Sequence, residues 1–299
     1  MISRSRIIAV AVVCAMALCP AFADTTVSTP FRGVRYTHRV ETAPQHMALH
    51  VVEIDLSDPG IRFTTTGDNG DAPRDTNTET TRAFVARTKA QIGINASFFV
   101  LDHKRDTTLL GLAVSDGRVV SKWAKGGFTH GINIARDNVV TFFERADPDP
   151  TGYGANPPLE LYNAVTGDRR LLRNGEIVVE SEGPRHPRTA VGLTRDNKLL
   201  LLVVDGRQPS YSIGMTCYEL AAALREFGAA DALNLDGGGS TTLVFADPRP
   251  RVVNVPTTFE MPEGLVQHPP GVERRVGNNL AVFAPAAVIP AKAGTQVVQ

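Results

Sequence analysis

Residues 234–242 read Asn-Leu-Asp-Gly-Gly-Gly-Ser-Thr-Thr, and they constrain the fold more than any other stretch of the chain. A mostly apolar run, Ala232 to Leu235, delivers the carboxylate of Asp236 into three glycines and then three hydroxyl residues. Each glycine loses more backbone freedom on folding than any other residue, so three in a row mark a sharp turn or a close approach to a ligand. The amides of such a turn can form an anion-binding concavity. Two readings follow: a tight turn between buried strands, or a ligand site.

The surrounding residues predict a strand–helix–strand unit. Leu199–Val204 is a continuous apolar run, as expected of a strand buried on both faces. Thr216 to Phe227 predicts a helix with Leu220, Leu224 and Phe227 facing inward, stopped by Gly228. Ala232–Leu235 is the next buried strand and Thr242–Phe245 another. A crossover of this kind makes the first two strands parallel, with Asp205 and Asp236 just past the same edge of the sheet. Either the two carboxylates converge on one crevice, or each caps its own turn.

Elsewhere, Met47–Leu56 and Ile61–Thr66 flank Asp58-Pro59-Gly60 and predict a strand pair. Thr78–Lys89 has helical character, Gln91–Ile94 is a short strand ending at Asn95, and Asn174-Gly175 marks a hairpin. The fold class expected is α/β (mixed α+β): a single domain around a mixed, partly parallel β-sheet with flanking helices. Its expected limits are residues 24–284, followed by a mobile tail over 285–299 rich in Ala and Pro.

Residues 1–23 read as an export signal. Arg4 and Arg6 precede the apolar run Ile7–Leu18, and Ala21-Phe22-Ala23 supplies a small-x-small cleavage site. The run is too short for a stable membrane anchor, so the expectation is an exported protein, periplasmic or secreted. The 31 basic and 31 acidic residues balance, and removing Arg4 and Arg6 leaves a slight acidic excess. That balance gives no reason to expect a nucleic-acid or anionic-membrane partner. Of three cysteines only Cys217 lies beyond the signal, so stability must come from a core and not from a disulfide.

Five constellations carry candidate chemistry. Asn95-Ala-Ser-Phe-Phe99 places an amide at a strand end. His186-Pro-Arg-Thr189 sets a histidine and an arginine two apart, on one side of an extended segment. Asp205-Gly-Arg207 adds a carboxylate and an arginine, and Asp236–Thr241 is the glycine loop. Arg274-Arg-Val-Gly-Asn-Asn279 brings further cations and amides. Asp205, Asp236 and asparagine amides are hard oxygen donors able to hold Ca²⁺ or Mg²⁺, although nothing requires a metal. No zinc-type His/Cys spacing occurs, and the glycine loop lacks a P-loop lysine. Glu219, three residues after Thr216, reads as half of a helix capping box.

In this order the segments Asn95–Phe99, His186–Gly192, Asp205–Gln208 with Gly214–Thr216, Asn234–Thr241 and Arg275–Val282 resemble the phosphodiester glycosidase family. The resemblance covers residues 90 to 284, and its Asn-Leu-Asp-Gly-Gly-Gly-Ser-Thr segment is the most specific part. It implies hydrolysis of a sugar-1-phosphodiester, with an N-acetylglucosamine-like sugar, at the glycosidic bond of an envelope or extracellular glycan. Asp236 is then the first candidate, and Asp205 the second, for the carboxylate beside the anomeric carbon. His186 is the candidate acid or base. Arg188 and Arg207 suit the phosphate. Thr189, Gly237, Gly238, Gly239, Ser240 and Thr241 would line the ligand, with Asn95 and Asn279 orienting sugar hydroxyls. Duller roles stay open: a hydrogen-bonded structural His186, an Arg207 paired with Asp205, and asparagines that satisfy loop backbone. A non-catalytic glycan-binding or exopolysaccharide-assembly protein, and a phosphodiesterase cutting P–O, also fit these residues.

Overall fold

A computed structural model describes residues 23–101, 106–123, 128–145, 157–257 and 270–287, together with the strand backbone of 259–260 and 266–267. The expected export signal, apart from Ala23, lies outside the described residues, as does the expected tail from 288 onward. Pro285 and Ala286 are docked: the Pro285 carbonyl accepts from the Arg32 amide at 3.0 Å, and Ala286 bridges Phe31.

The architecture is antiparallel β, which overturns the expected partly parallel sheet with flanking helices. Among the described residues two α-helices form, Thr81–Thr88 and Cys217–Glu226. The largest sheet has eight strands. Its central part places Met47–Asp55 beside Lys198–Val204, then Arg188–Thr194, Ala229–Asn234 and Arg169–Arg173, each pair antiparallel. A five-stranded sheet is built on Ile92–Asn95, flanked by Leu243–Ala246 and Asn279–Phe283. A second five-stranded sheet contains His130–Ile134 and Asn163–Gly167.

The parallel expectation fails for a definite reason. The helix Cys217–Glu226 does connect Lys198–Val204 to Ala229–Asn234, but Arg188–Thr194 is inserted between those strands and pairs antiparallel with both. The two strands therefore run the same way without being neighbours. Asp205 and Asp236 still leave the same edge, separated by a strand, so about two inter-strand spacings apart. The expected pair Met47–Leu56 and Ile61–Thr66 also fails to form. Met47–Asp55 joins the eight-stranded sheet, while Arg62–Thr65 crosses to the five-stranded one and pairs with Asn279–Phe283.

Period-two alternation explains why the apolar run at 199–204 is continuous. Leu199, Leu201 and Val203 enter the core shared with Ile92, Ile94, Leu243 and Leu280 of the five-stranded sheet. Leu200, Leu202 and Val204 enter a second core with Leu220 and Leu224 of the helix. Full burial of each such side chain stabilises by about 1.5–3 kcal/mol, so one strand holds three layers together. The Thr216 side chain accepts from the Glu219 amide, and Glu219 returns the bond to the Thr216 amide, closing the expected capping box. The hairpin also forms where expected, with Asn174 and Gly175 at φ 52° and 91°.

Candidate functional site

The edge past Val204 and Asn234 gathers most of the candidate residues, and the glycine loop forms its floor. The Asp236 amide donates to the Ala96 carbonyl at 2.9 Å, so the loop is stitched to the end of the Ile92–Asn95 strand. Asn95, fully buried, donates its Nδ2 to the Asp236 carbonyl. Its Oδ1 accepts from the Thr189 hydroxyl at 2.7 Å and the Thr242 amide at 3.1 Å. Asn95 and Thr189 thus frame the loop. Gly238–Ser240 then forms one turn of 3-10 helix. The Gly238 amide is spent on the Pro187 carbonyl at 2.8 Å, so it does not face an anion. Gly237 turns its amide to the Asp236 carboxylate.

Asp236 is 9% exposed and its pKa is pushed up to about 6, burial being the largest cause. The nearby Asp168 carboxylate raises it further. The Ser240 hydroxyl, the Arg274 charge and the Gly237 amide oppose that rise. A carboxylate that is this desolvated yet close to a cation is a functional-site signature. At neutral pH it remains mostly ionised.

Three arginines group at the glycine loop, and of these the Arg274 charge acts on Asp236. Arg207 adopts φ +62° and sets its guanidinium against Gly238: a Cβ there would lie 3.0 Å from Arg207 Nη2. Burial lowers the Arg207 pKa first, and Arg274 and Arg188 lower it further. Arg188 donates Nε to the Met215 carbonyl and Nη2 to the Pro184 carbonyl, both at 2.9 Å. Those partners are neutral, and among the described residues no carboxylate forms an ion pair with it. Arg274 lies over the Phe99 ring at 5.1 Å, and its buried Nε has no hydrogen-bond partner. Such a group of mutually repelling cations is a receptor for an anion.

His186 lies half-buried at the same place, its backbone paired with Met215. Its pKa is held below the usual imidazole range by burial and then by Arg188 and Arg207. These surroundings favour the neutral ring. An anion that compensates the arginines would restore its basicity.

Asp205 occupies a different environment. It is 1% exposed, and its oxygens accept from Asn254 Nδ2 at 2.9 Å and from the Val255 amide at 2.9 and 3.0 Å. His50 Nε2 and the Tyr211 hydroxyl lie at 3.4 Å. With its lone pairs occupied it is a structural anchor beneath the Arg207 turn. Asn254 also donates to the Thr241 carbonyl at 3.2 Å and accepts from the Leu243 amide at 2.8 Å, tying that anchor to the glycine loop. The donors around Asp205 also leave no place for a cation there. Among the described residues no group of three or more His, Cys, Asp or Glu side chains could hold a metal.

One residue outside the sequence candidates joins the site. Asp168 lies on the joint between Asn163–Gly167 and Arg169–Arg173, where its Oδ1 accepts from Asn234 Nδ2 at 2.7 Å and its Oδ2 from Arg169 Nε at 2.8 Å. A Cβ on Gly167 would collide with the Asn234 carbonyl, so a glycine is what lets this joint close on the site. Arg274, from the last of the five constellations, joins it with a role that the sequence did not assign. Thr-Gly-Asp at a strand end and the Arg-Arg pair are weak signals, each also typical of an ordinary turn. Buried polar atoms of Asn234 (Oδ1), Thr241 (Oγ1), Asn278 (Nδ2) and Asn279 (Nδ2), in the segments that meet here, lack hydrogen-bond partners of standard geometry. Buried polar groups are rarely left so, and their concentration here marks a place for a polar ligand.

Gly238→Ala tests the loop. A side chain at φ +61° costs about 1 kcal/mol and must push the Arg207 guanidinium aside. The expected result in steady-state assays is a fall in kcat/KM of about tenfold or more, with a modest drop in melting temperature.

A cavity of 690 Å³ opens beside the site, its lining including His186, Arg188, Arg169, Cys217, Arg173 and His130. Arg188 belongs to both, whereas Asp236 is not part of the cavity wall.

A sequence profile described as phosphodiester glycosidase matches residues 88–283. The chain is 35% identical over 157 residues to the N-acetylglucosamine-1-phosphodiester alpha-N-acetylglucosaminidase of Mus musculus, covering 45% of this chain and 28% of that protein. The Homo sapiens protein of the same name is 30% identical over 193 residues, covering 56% and 33%. The match thus spans a third or less of these relatives. The solved zebrafish catalytic domain of that name, described as auto-inhibited by its pro-peptide, aligns with a TM-score of 0.60 at 21% identity, covering 89% of this chain and 85% of that one. A hypothetical protein from Synechocystis gives 0.61 at 16% identity, covering 90% and 64%. At those identities the two structures show a shared fold.

Proposed function

The chain belongs to the phosphodiester glycosidase family, and from that premise we propose that it hydrolyses the bond between a sugar anomeric carbon and a phosphodiester oxygen. The observation that carries this reading is the buried carboxylate of Asp236 under the charge of Arg274, itself grouped with Arg207 and Arg188, with unpartnered polar atoms in the adjoining segments. A phosphate leaving group departs with its negative charge already delocalised, so it needs cations more than a strong acid. The arginines supply them. On the carbon side, positive charge develops as the bond breaks, and the ionised Asp236 stabilises or attacks that centre. His186 lies on the phosphate side, where a bound anion makes it a proton donor or acceptor.

The substrate reading is an N-acetylglucosamine-like sugar in an envelope or extracellular glycan, supported by the names of the mammalian relatives. Export is proposed on the Arg4/Arg6 and Ile7–Leu18 pattern alone. Incubating the protein with methyl N-acetylglucosamine-1-phosphodiester tests the activity. The expected products are free sugar and methyl phosphate, and intact substrate at high enzyme would sink the reading.

The pH profile follows from Asp236. If its ionised form is required, kcat/KM falls on the acid side through about pH 6, the value to which burial raises this group. Arg274 opposes that rise, so Arg274→Gln is expected to move the acid limb to higher pH. A limb that stays in place would show that Asp236 is not the group titrating.

A further inference from the structure

The cavity beside the phosphate side is larger than one phosphate requires, and its shape has a direction. It starts at His186 and Arg188, next to the arginine group, and reaches Arg173 and His130. The strand Arg169–Arg173 forms one wall, with its two terminal arginines exposed and the three residues between them buried. Arg169 pairs with Asn234, two residues before Asp236, whereas Leu172 pairs with Ala232. The strand therefore leads away from the site, and its four steps from Arg169 to Arg173 cover about 13 Å.

The far end gathers two arginines and a histidine. Arg170, Arg173 and His130 meet there, and the imidazole pKa is lowered by burial and by both arginines, against Glu144 and Asp168. Arg170 is committed to Asp231 and the Leu172 carbonyl, so it contributes field more than contact. Arg173 is half-exposed and pairs with the exposed Glu144, a contact that a ligand anion can replace at little cost. Glu180 and Glu182 also line the cavity, and of its four arginines Arg169, Arg170 and Arg173 each pair with a carboxylate, the Arg173 pair being the most exposed.

We propose that this cavity is an aglycone subsite for an anionic oligomer, in which a second phosphate, beyond the scissile phosphodiester and on its leaving side, is held by Arg173. The proposal rests on the glycosidase reading, because Arg188 marks the phosphate end of the cavity. It narrows the substrate class to glycans with phosphate recurring along the chain.

The test compares methyl N-acetylglucosamine-1-phosphodiester with a trimer of N-acetylglucosamine joined by 1-phosphodiester bonds, on the wild-type protein, Arg173→Gln and Arg173→Glu. One charge-assisted contact predicts a kcat/KM about tenfold higher for the trimer at low salt, a gap closed by Arg173→Gln and reversed by Arg173→Glu. Turnover of the methyl ester should be unchanged in both variants. Equal wild-type rates on the two substrates, or a trimer preference that survives Arg173→Glu, would overturn the subsite and leave the glycosidase reading intact. If neither substrate turns over, calorimetric binding of the trimer decides. Weakening by Arg173→Glu keeps the subsite while the glycosidase reading fails, and binding indifferent to residue 173 removes both.

Discussion

Replacing Asp236 with Asn is expected to lower kcat by about a thousandfold while making the protein more stable. The first effect follows from removing the buried carboxylate on which the Arg274 charge acts, beside Arg207 and Arg188. The second follows from its pKa. In the folded chain Asp236 titrates at about 6 instead of 3.8, because burial disfavours the charged form. The folded state therefore binds this proton more tightly than the unfolded state. Its contribution is fully present below the unfolded value and is lost as pH rises through about 6. Asparagine, close in shape to the neutral acid, escapes that loss. At pH 7.5 the variant should gain about 3 kcal/mol, and below about pH 4 the difference should vanish. Urea titrations at the two pH values measure it. A variant equally active, or less stable at pH 7.5, would contradict the assignment.

Asp205→Ala is expected to have the opposite profile. Its carboxylate satisfies Asn254, the Val255 amide, His50 and Tyr211 in a site 1% exposed to solvent. Removing it leaves buried donors without an acceptor and costs about 3 kcal/mol. The Arg207 turn and, through Asn254, the glycine loop lose their anchor, so activity declines with the loss of structure. Asp205→Asn keeps one acceptor oxygen and should recover part of both. Thermal unfolding and activity measured together separate the cases. An Asp205→Ala protein with wild-type melting and no turnover would make Asp205 catalytic instead.

These two aspartates look alike in the sequence, each a strand end followed by glycine. What separates them is Asn254, which arrives 49 residues after Asp205 and saturates it. No local pattern announces that meeting. The glycine loop was legible because three glycines beside a carboxylate are costly unless the backbone must turn tightly. The helix at 217–226 and the hairpin at Asn174-Gly175 were legible because capping and turn chemistry act within four residues. Strand partnership was not. Arg188–Thr194 slips between two strands that a short crossover would have made neighbours, and Arg62–Thr65 finds its partner at Asn279–Phe283. Apolar alternation says that a strand is buried and gives no account of which strand lies beside it. Asp168 was missed, and Arg274 was named without a role, for the same reason: their value comes from long-range neighbours.

The most direct test of Asp236 acting at the anomeric carbon is hydrolysis of methyl N-acetylglucosamine-1-phosphodiester in ¹⁸O water, by the wild-type protein and by Asp236→Asn. Carbon–oxygen cleavage at Asp236 predicts methyl phosphate free of label from the wild-type protein and almost no product from the variant. Label in the methyl phosphate would mean attack at phosphorus and would contradict it.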